Sequence, residues 1–112
     1  MRKVKGKFIS RSEEFLLLAV FRLKKNAYGV TIRDQLQETT GKTWAYGAIF
    51  VMLNRMEKKG LLDSYLADPT HQRGGRSKRI YHLTESGVSA LEEVRQVNKS
   101  VWSGISEIST SD

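Results

Sequence analysis

The feature that most limits the fold of this chain is a turn-rich segment between two strand-like segments. Residues 62–67 and 79–83 have strand patterns, and residues 68–76 between them contain a proline and two adjacent glycines. This arrangement predicts a β-hairpin. Helical patterns precede the hairpin and one long helical pattern follows it, so the sequence predicts an α+β, mainly α, fold.

Three short helical segments precede the hairpin. The first begins at Ser10 or Ser12 as N-cap, has carboxylates in its first turn, and is apolar enough to be buried on more than one side. Gly41 and Gly60 are the expected stops of the second and third helices. The first helix is predicted to end at residues 24–26. The second is predicted to cover residues 30–38 and the third residues 46–59.

A long final helix is capped by Thr84 and predicted to run to about Ser109. Three compact helices followed by a two-stranded hairpin, or wing, are the winged helix-turn-helix plan. The predicted division is a basic N-terminal arm (1–10), a winged-helix DNA-binding domain (11–84) and a C-terminal dimerisation helix (85–112).

The third helix has two different sides. Ile49, Leu53 and Met56 share one side, with Met52 and Phe50 flanking them. The opposite side combines small, amide and basic residues, which suits a DNA major groove because small side chains allow close approach. The alternative is an ordinary amphipathic helix with a solvated basic edge. The residues of this helix predicted to contact DNA are Tyr46, Gly47, Ala48, Val51, Asn54, Arg55 and Lys58.

The tip of the hairpin carries charge of a single sign, with four cations among residues 73–79. Its two glycines allow close backbone approach, and the cations can pair with phosphates or enter a minor groove. A flexible, solvated loop is the alternative. The remaining residues predicted to contact DNA are Arg73, Gly74, Arg76 and Lys78 of the hairpin and Tyr28 before the second helix.

Charge is unevenly distributed along the chain. The formal net charge is +7, but residues 85–112 hold two cations and five carboxylate side chains, a net −3, so the first 84 residues carry +10. A basic body with a mildly acidic tail indicates that the body binds a polyanion. Lys3, Lys5 and Lys7 form a second basic cluster, interpreted as an arm that follows the phosphate backbone.

Apolar residues recur along the last helix at alternating spacings of three and four, the pattern of a coiled-coil seam. Asn98 takes an interior position, where a polar residue can fix register and oligomeric state. We expect a second copy of the chain to bury this apolar stripe. The alternative is that the helix folds back on its own core. A twofold dimer would place two recognition helices on two half-sites. The predicted dimerisation residues are Phe15, Leu18, Leu91, Val94, Asn98, Val101, Trp102, Ile105 and Ile108.

The sequence contains few residues that indicate a small-molecule ligand, a metal site or catalysis. Trp102 is either a core residue or, paired across a dimer, a platform for a planar effector. His71 and His82 without any cysteine fall short of a transition-metal site, and no cofactor is predicted. There is no nucleophile–base pair or phosphate-binding glycine loop, so an enzyme is not expected. Without a signal peptide or an apolar run that could span a bilayer, we expect a cytoplasmic protein.

Several segments resemble the PadR family of transcriptional regulators. Residues 27–29 (AYG) resemble its YG turn, and Trp44 with residues 47–53 (GAIFVML) is similar to its tryptophan and GTLYPAL helix. Residues 55–62 (RMEKKGLL) and 76–87 (RSKRIYHLTESG) are similar to its RLEKEGLI and RxRKYYxLTxxG segments. The resemblance implies a bacterial dimeric repressor that small molecules or stress signals release from DNA, with the first and last helices building the dimer.

Phe50 and Val51 depart from the tyrosine and proline usual in that family, and the single helix after the wing resembles its compact branch. The predicted function is a sequence-specific regulator, a repressor acting as a homodimer on a pseudo-palindromic operator in double-stranded DNA. Two alternatives stay open: a winged-helix module for a protein or RNA partner, and a plasmid or phage DNA-processing accessory factor.

Overall fold

The computed structural model describes residues 9–67 and 77–108. Within them the chain forms four α-helices and one two-stranded antiparallel sheet. The bounds are α1 Arg11–Leu23, α2 Gly29–Thr40, α3 Tyr46–Lys58, β1 Leu62–Leu66, β2 Arg79–Leu83 and α4 Glu85–Trp102. This order is the predicted winged-helix plan, with α2 and α3 as the helix-turn-helix and β1 and β2 as the wing.

Local signals set the ends of the first two helices. Ser10 is the N-cap of α1: its Oγ accepts from the N–H of Glu13 at 3.1 Å, and Glu13 Oε1 accepts from the N–H of Ser10 at 2.8 Å. This reciprocal pair is a capping box. Helix α2 begins one residue before and ends two residues after its predicted bounds, and Gly41 stops it with a left-handed backbone at φ 72°.

The wing is tied to the helical core at its base. Strand β1 pairs with β2 so that Leu62 lies opposite Leu83. The N–H of Tyr81 donates to the carbonyl of Ala27 at 2.8 Å, which joins β2 to the connection between α1 and α2. This bond places the start of α2 beside the base of the wing.

A single core lies between the three N-terminal helices and the wing. Its fully buried side chains are Leu16, Leu17 and Val20 of α1, Ile32 and Leu36 of α2, Ile49, Leu53 and Met56 of α3, and Leu61 and Leu62 at the start of the wing. The predicted buried side of α3 is therefore confirmed. Of its two predicted flanking residues, Met52 is buried and Phe50 is 48% exposed. The ring of Phe50 lies beside Gly29 of α2, where no side chain stands in its way.

Helix α4 meets the core through its first turns only. Thr84 caps it by accepting the N–H of Gly87 at 3.0 Å, and its hydroxyl donates to the carbonyl of Gly60 at 2.6 Å. Gly87 and Ala90 are buried. From residue 95 to residue 102 every position is exposed, so the alternative of a helix folded back on its own core does not hold for this part of α4.

The predicted end of α4 at about Ser109 is wrong, because the helix ends at Trp102. Gly104 takes a left-handed backbone with φ 82°, a conformation that glycine adopts freely and that ends helices. Ile105 and Ile108 therefore lie beyond the helix, in what we call the tail segment (residues 103–108), and not on the predicted helical seam.

Candidate nucleic-acid interface

One side of α3 is open to solvent along its length. Gly47, Val51, Asn54 and Lys58 follow one another at spacings of three and four, and all are exposed. A β-carbon added to Gly47 would have no heavy atom within 4 Å. These four residues, the exposed face of α3, leave the helix backbone accessible to a partner as large as a nucleic-acid groove.

The start of α3 is held by Trp44. Its backbone N–H donates to Gln37 Oε1 at 3.2 Å, and its indole N–H donates to Thr40 Oγ1 at 2.9 Å. Its carbonyl accepts from Arg33 Nε at 2.8 Å, and the Arg33 guanidinium lies 4.7 Å from the centroid of the Tyr46 ring. Trp44 therefore fixes the turn between α2 and α3. Arg33 contacts both Trp44 and Tyr46, the first residue of α3, and so links this turn to the start of the helix.

The start of α2 and the base of the wing lie next to each other. The Lys78 ammonium is 4.2 Å from the centroid of the Tyr28 ring. The Phe50 ring lies 3.5 Å from the position that a β-carbon on Gly29 would take, and its centroid is 6.4 Å from that of Tyr46. The structure thus brings Tyr28, Tyr46 and Lys78, three predicted site residues, to the same end of the molecule.

Arg55, a predicted DNA contact, forms an ion pair with Glu13 of α1. Its Nη1 lies 2.9 Å from Glu13 Oε2, and Lys59 Nζ lies 3.8 Å from Glu13 Oε1. The Glu13 side chain is 7% exposed, and this burial disfavours its charge. Hydrogen bonds from the Ser10 N–H and from Arg55, with the charges of Lys59 and Arg55, outweigh burial and lower the pKa of Glu13. Arg55 therefore anchors α3 to the start of α1.

Sequence reasoning missed two residues that shape this site. Arg33 carries no motif that marks it, and Glu13 is predicted only as one of the carboxylates in the first turn of the first helix. The partners of each lie in other elements, and Glu13 and Arg55 are 42 positions apart in the chain. Periodicity within one helix cannot reveal such pairs. For Glu13, the signal available was a charged residue at a position that packing buries, which calls for a partner of opposite charge.

Some predictions fall outside the described residues, namely those on Arg73, Gly74 and Arg76 of the wing tip, on His71, and on the arm lysines. His82 is exposed on β2. Within residues 9–67 and 77–108 there is no group of three or more His, Cys, Asp or Glu side chains that could hold a metal ion. No helix in this part of the chain is both long and apolar enough to span a bilayer.

Seven of the nine predicted dimerisation residues lie on α1 and α4, where they are only partly covered, and Ile105 and Ile108 lie beyond α4. Phe15, Leu91 and Val94 are half-buried, whereas Leu18 is 40% exposed. Asn98 is exposed, and Val101 and Trp102 are 67% and 50% exposed. The apolar side chains at the end of α4 are therefore in contact with solvent.

The three-helix core, the exposed face of α3 and the wing define a winged helix-turn-helix protein. A model of the transcriptional regulator PadR-like family matches residues 17–93. The chain belongs to this PadR-like family and is a DNA-binding transcriptional regulator. The family consists of regulators and not of enzymes, in agreement with the absence of catalytic motifs from the sequence.

Similar folds are found in several solved structures. A PadR-like transcription factor from Bacteroides fragilis is 26% identical, with 79% of this chain and 81% of that chain covered and a TM-score of 0.64. A PadR-like regulator from Bacillus cereus is 23% identical, with 80% and 85% covered and a TM-score of 0.64. RosR of H. salinarum is 20% identical, with 91% and 83% covered and a TM-score of 0.70. Among curated proteins, none matches this chain significantly.

These similarities confirm the predicted fold and the predicted family. They do not restrict the chain to bacteria, because the RosR structures come from an archaeon.

Proposed function

We propose that this regulator is a repressor that binds a pseudo-palindromic operator in double-stranded DNA as a homodimer. The observation that carries the proposal is the exposed face of α3, which no other described element covers. In this arrangement α3 enters the major groove, and the wing follows the adjacent phosphate backbone.

Each residue of the exposed face has a chemical role in the proposal. Gly47 allows the start of α3 to approach the floor of the groove, and the Val51 methyl groups face a thymine methyl. The Asn54 amide can donate to and accept from one adenine edge. Lys58 neutralises a phosphate, as does Lys78 beside Tyr28. Arg55 is 49% exposed in its ion pair with Glu13 and keeps further N–H donors for a phosphate.

The homodimer in this proposal is supported by the exposed end of α4. Val97, Val101 and Trp102 are at least half exposed, and together they would leave a long apolar stripe in water if the chain stayed a monomer. Release from DNA is the finer part of the proposal: a planar small molecule stacks on the Trp102 indole and shifts the dimer to a form that does not fit the two half-sites.

The experiment is a fluorescence-anisotropy titration of the duplex upstream of the protein's own gene, with scrambled duplex as competitor and at two salt concentrations. We expect a preference of ~10³-fold or more for that duplex, with affinity that falls steeply as salt rises. Binding that is weak and indifferent to sequence would contradict autoregulation by this protein.

Two variants and a matched control test whether the exposed face of α3 contacts DNA. Asn54→Ala should lower the preference for the specific duplex by about 10-fold or more while leaving binding to scrambled duplex unchanged. Lys58→Ala should weaken binding to both duplexes and reduce the salt slope by about 0.9 for each phosphate that is no longer neutralised. Lys99→Ala, an exposed lysine on α4, should change neither quantity. Equal effects of the two lysine variants would contradict the assignment to α3.

A further inference from the structure

A groove lies between α1 and α2 and reaches the chain that leads into α3. It is lined by one side of α1 from Ser12 to Arg22, by the end of α2 and by Trp44, and its volume is about 350 Å³. We call it the α1–α2 groove. Ser12 and Arg22 are ten positions apart, which is about 15 Å of helix. Because a small volume is spread along this length, the groove suits one extended chain better than a broad ring system.

The α1–α2 groove combines an apolar floor with positive charge. Its apolar lining residues are Phe15, Leu18, Ala19 and Trp44. Arg22 lines it from α1, and Lys42 lines it from the connection between α2 and α3. Within residues 9–67 and 77–108, no acidic residue lines the groove and no carboxylate forms an ion pair with Arg22 or Lys42. The groove therefore suits an elongated apolar ligand that carries a negative charge.

One wall of the groove also holds the start of α3. Thr40 Oγ1 accepts the indole N–H of Trp44 at 2.9 Å and the backbone N–H of Lys42 at 3.2 Å. The Trp44 carbonyl accepts from Arg33 Nε, and the Arg33 guanidinium contacts the ring of Tyr46, the first residue of α3. A ligand that moves the Trp44 indole therefore also disturbs the support of α3.

We propose that the α1–α2 groove binds a medium-chain aliphatic monocarboxylate and that this binding weakens the hold of the regulator on DNA. The alkyl chain lies along α1, and the carboxylate pairs with Lys42. There the Trp44 indole N–H donates to the carboxylate instead of to Thr40, because a charge-assisted hydrogen bond is the stronger of the two. Arg22 attracts the anion through its charge.

This site is separate from the one proposed at Trp102. All its lining residues lie between positions 12 and 44, so α4 and the wing take no part in it. Phe15 and Leu18 are also predicted dimerisation residues, and both lie on α1. A second copy of the chain would therefore border the groove along its α1 side, and we expect the groove to stay open in the homodimer.

The regulatory part of this inference rests on the proposed function, whereas ligand binding does not. A ligand that releases the regulator must bind better to the form that does not fit DNA. Because such coupling is reciprocal, operator DNA must weaken ligand binding by the factor by which the ligand weakens DNA binding. We expect this factor to be about 10 in each direction.

The experiment begins with the protein free of DNA. Calorimetric titration with decanoate, kept below the concentration at which it forms micelles, gives the Kd of the unmodified chain. The fluorescence of Trp102→Phe, in which Trp44 is the remaining tryptophan, should change with the same Kd. The Kd should fall two- to fourfold, roughly, for each methylene group added from hexanoate to decanoate. Decylamine has the same chain with a positive charge, and an equal response to it would overturn recognition of an anion.

Three charge variants locate the carboxylate. Lys42→Gln should raise the decanoate Kd about 10-fold, because it removes the direct partner. Arg22→Gln should raise it about threefold through the loss of a more distant charge. Lys25→Gln, at an exposed lysine outside the groove, should leave it within about twofold. An effect of Lys42→Gln no larger than that of Lys25→Gln would overturn the assigned site.

Titration of the operator duplex separates failure of this inference from failure of the proposed function. Sequence-specific DNA binding without decanoate binding would overturn the ligand site alone. Decanoate binding that leaves the operator Kd unchanged would overturn its regulatory role. Saturable decanoate binding by a protein that is indifferent to DNA sequence would support the ligand site and overturn the proposed function.

Discussion

Replacing Gly87 by alanine tests how closely α4 packs against the chain between α3 and β1. A β-carbon at this position would lie 2.2 Å from the carbonyl oxygen of Leu61 and 3.1 Å from Cδ2 of Leu83. The first distance is about 1 Å shorter than a carbon–oxygen contact allows. That carbonyl also accepts the N–H of Thr84 at 3.1 Å. Because it belongs to the backbone, it cannot rotate away as a side chain would.

The expected magnitude follows from opposing contributions. Alanine in a helix is favoured over glycine by about 0.5–1 kcal/mol. Relief of the clash requires a backbone shift, and overpacking of this kind costs about 1–3 kcal/mol. Loss of the hydrogen bond between Thr84 and Leu61 adds about 1 kcal/mol. We therefore expect Gly87→Ala to lower the free energy of unfolding by about 1–3 kcal/mol and Tm by roughly 5–15 °C.

The control is the same substitution at Gly47, where an added β-carbon would meet nothing within 4 Å. Gly47→Ala should keep or raise Tm because only the helix preference for alanine acts. It should also weaken operator binding, since the new methyl group faces the proposed DNA groove. Thermal unfolding followed by circular dichroism measures both stabilities. A Gly87→Ala protein as stable as the wild type would refute the close approach.

Two further predictions concern buried polar contacts. Glu13→Gln should lower the free energy of unfolding at neutral pH by about 1–2 kcal/mol, whereas Glu14→Gln should have little effect. Because the pKa of Glu13 is lowered from 4.5, its contribution is present above this pH and is lost as pH falls further. Denaturant titrations of Glu13→Gln and wild type should thus converge in acid, and a constant gap would contradict the ion pair. Trp44→Phe removes the indole hydrogen bond to Thr40, so it should lower Tm by several degrees and weaken DNA binding in anisotropy titrations. Unchanged values of both would argue against Trp44 as the support of α3.

The order of the elements could be predicted because each depends on residues close together in the chain. Ser10 and Glu13 of the capping box are three positions apart, and Gly41 and Thr84 act on the helix ends next to them. Periodicity within α3 was enough to separate its buried side from the side proposed to face DNA. The same local patterns carry the resemblance to the PadR family, which the family match confirms.

The end of α4 shows where local patterns mislead. Ile105 and Ile108 continue the apolar spacing of the seam, so periodicity alone extends the predicted helix to about Ser109. In the structure Gly104 takes a positive φ and the helix ends at Trp102. An apolar spacing indicates which side of a helix would be buried, but it does not ensure that the backbone stays helical.

The sequence by itself determined the fold class, the family and the helix that bears the candidate DNA-binding face. Only the tertiary structure decided that Arg55 pairs with Glu13, that Trp44 and Arg33 hold the start of α3, and that a groove lies between α1 and α2. The physical reason is that helix ends and amphipathic faces depend on neighbours a few residues away. Ion pairs and grooves depend instead on which surfaces of distant segments meet when the core closes.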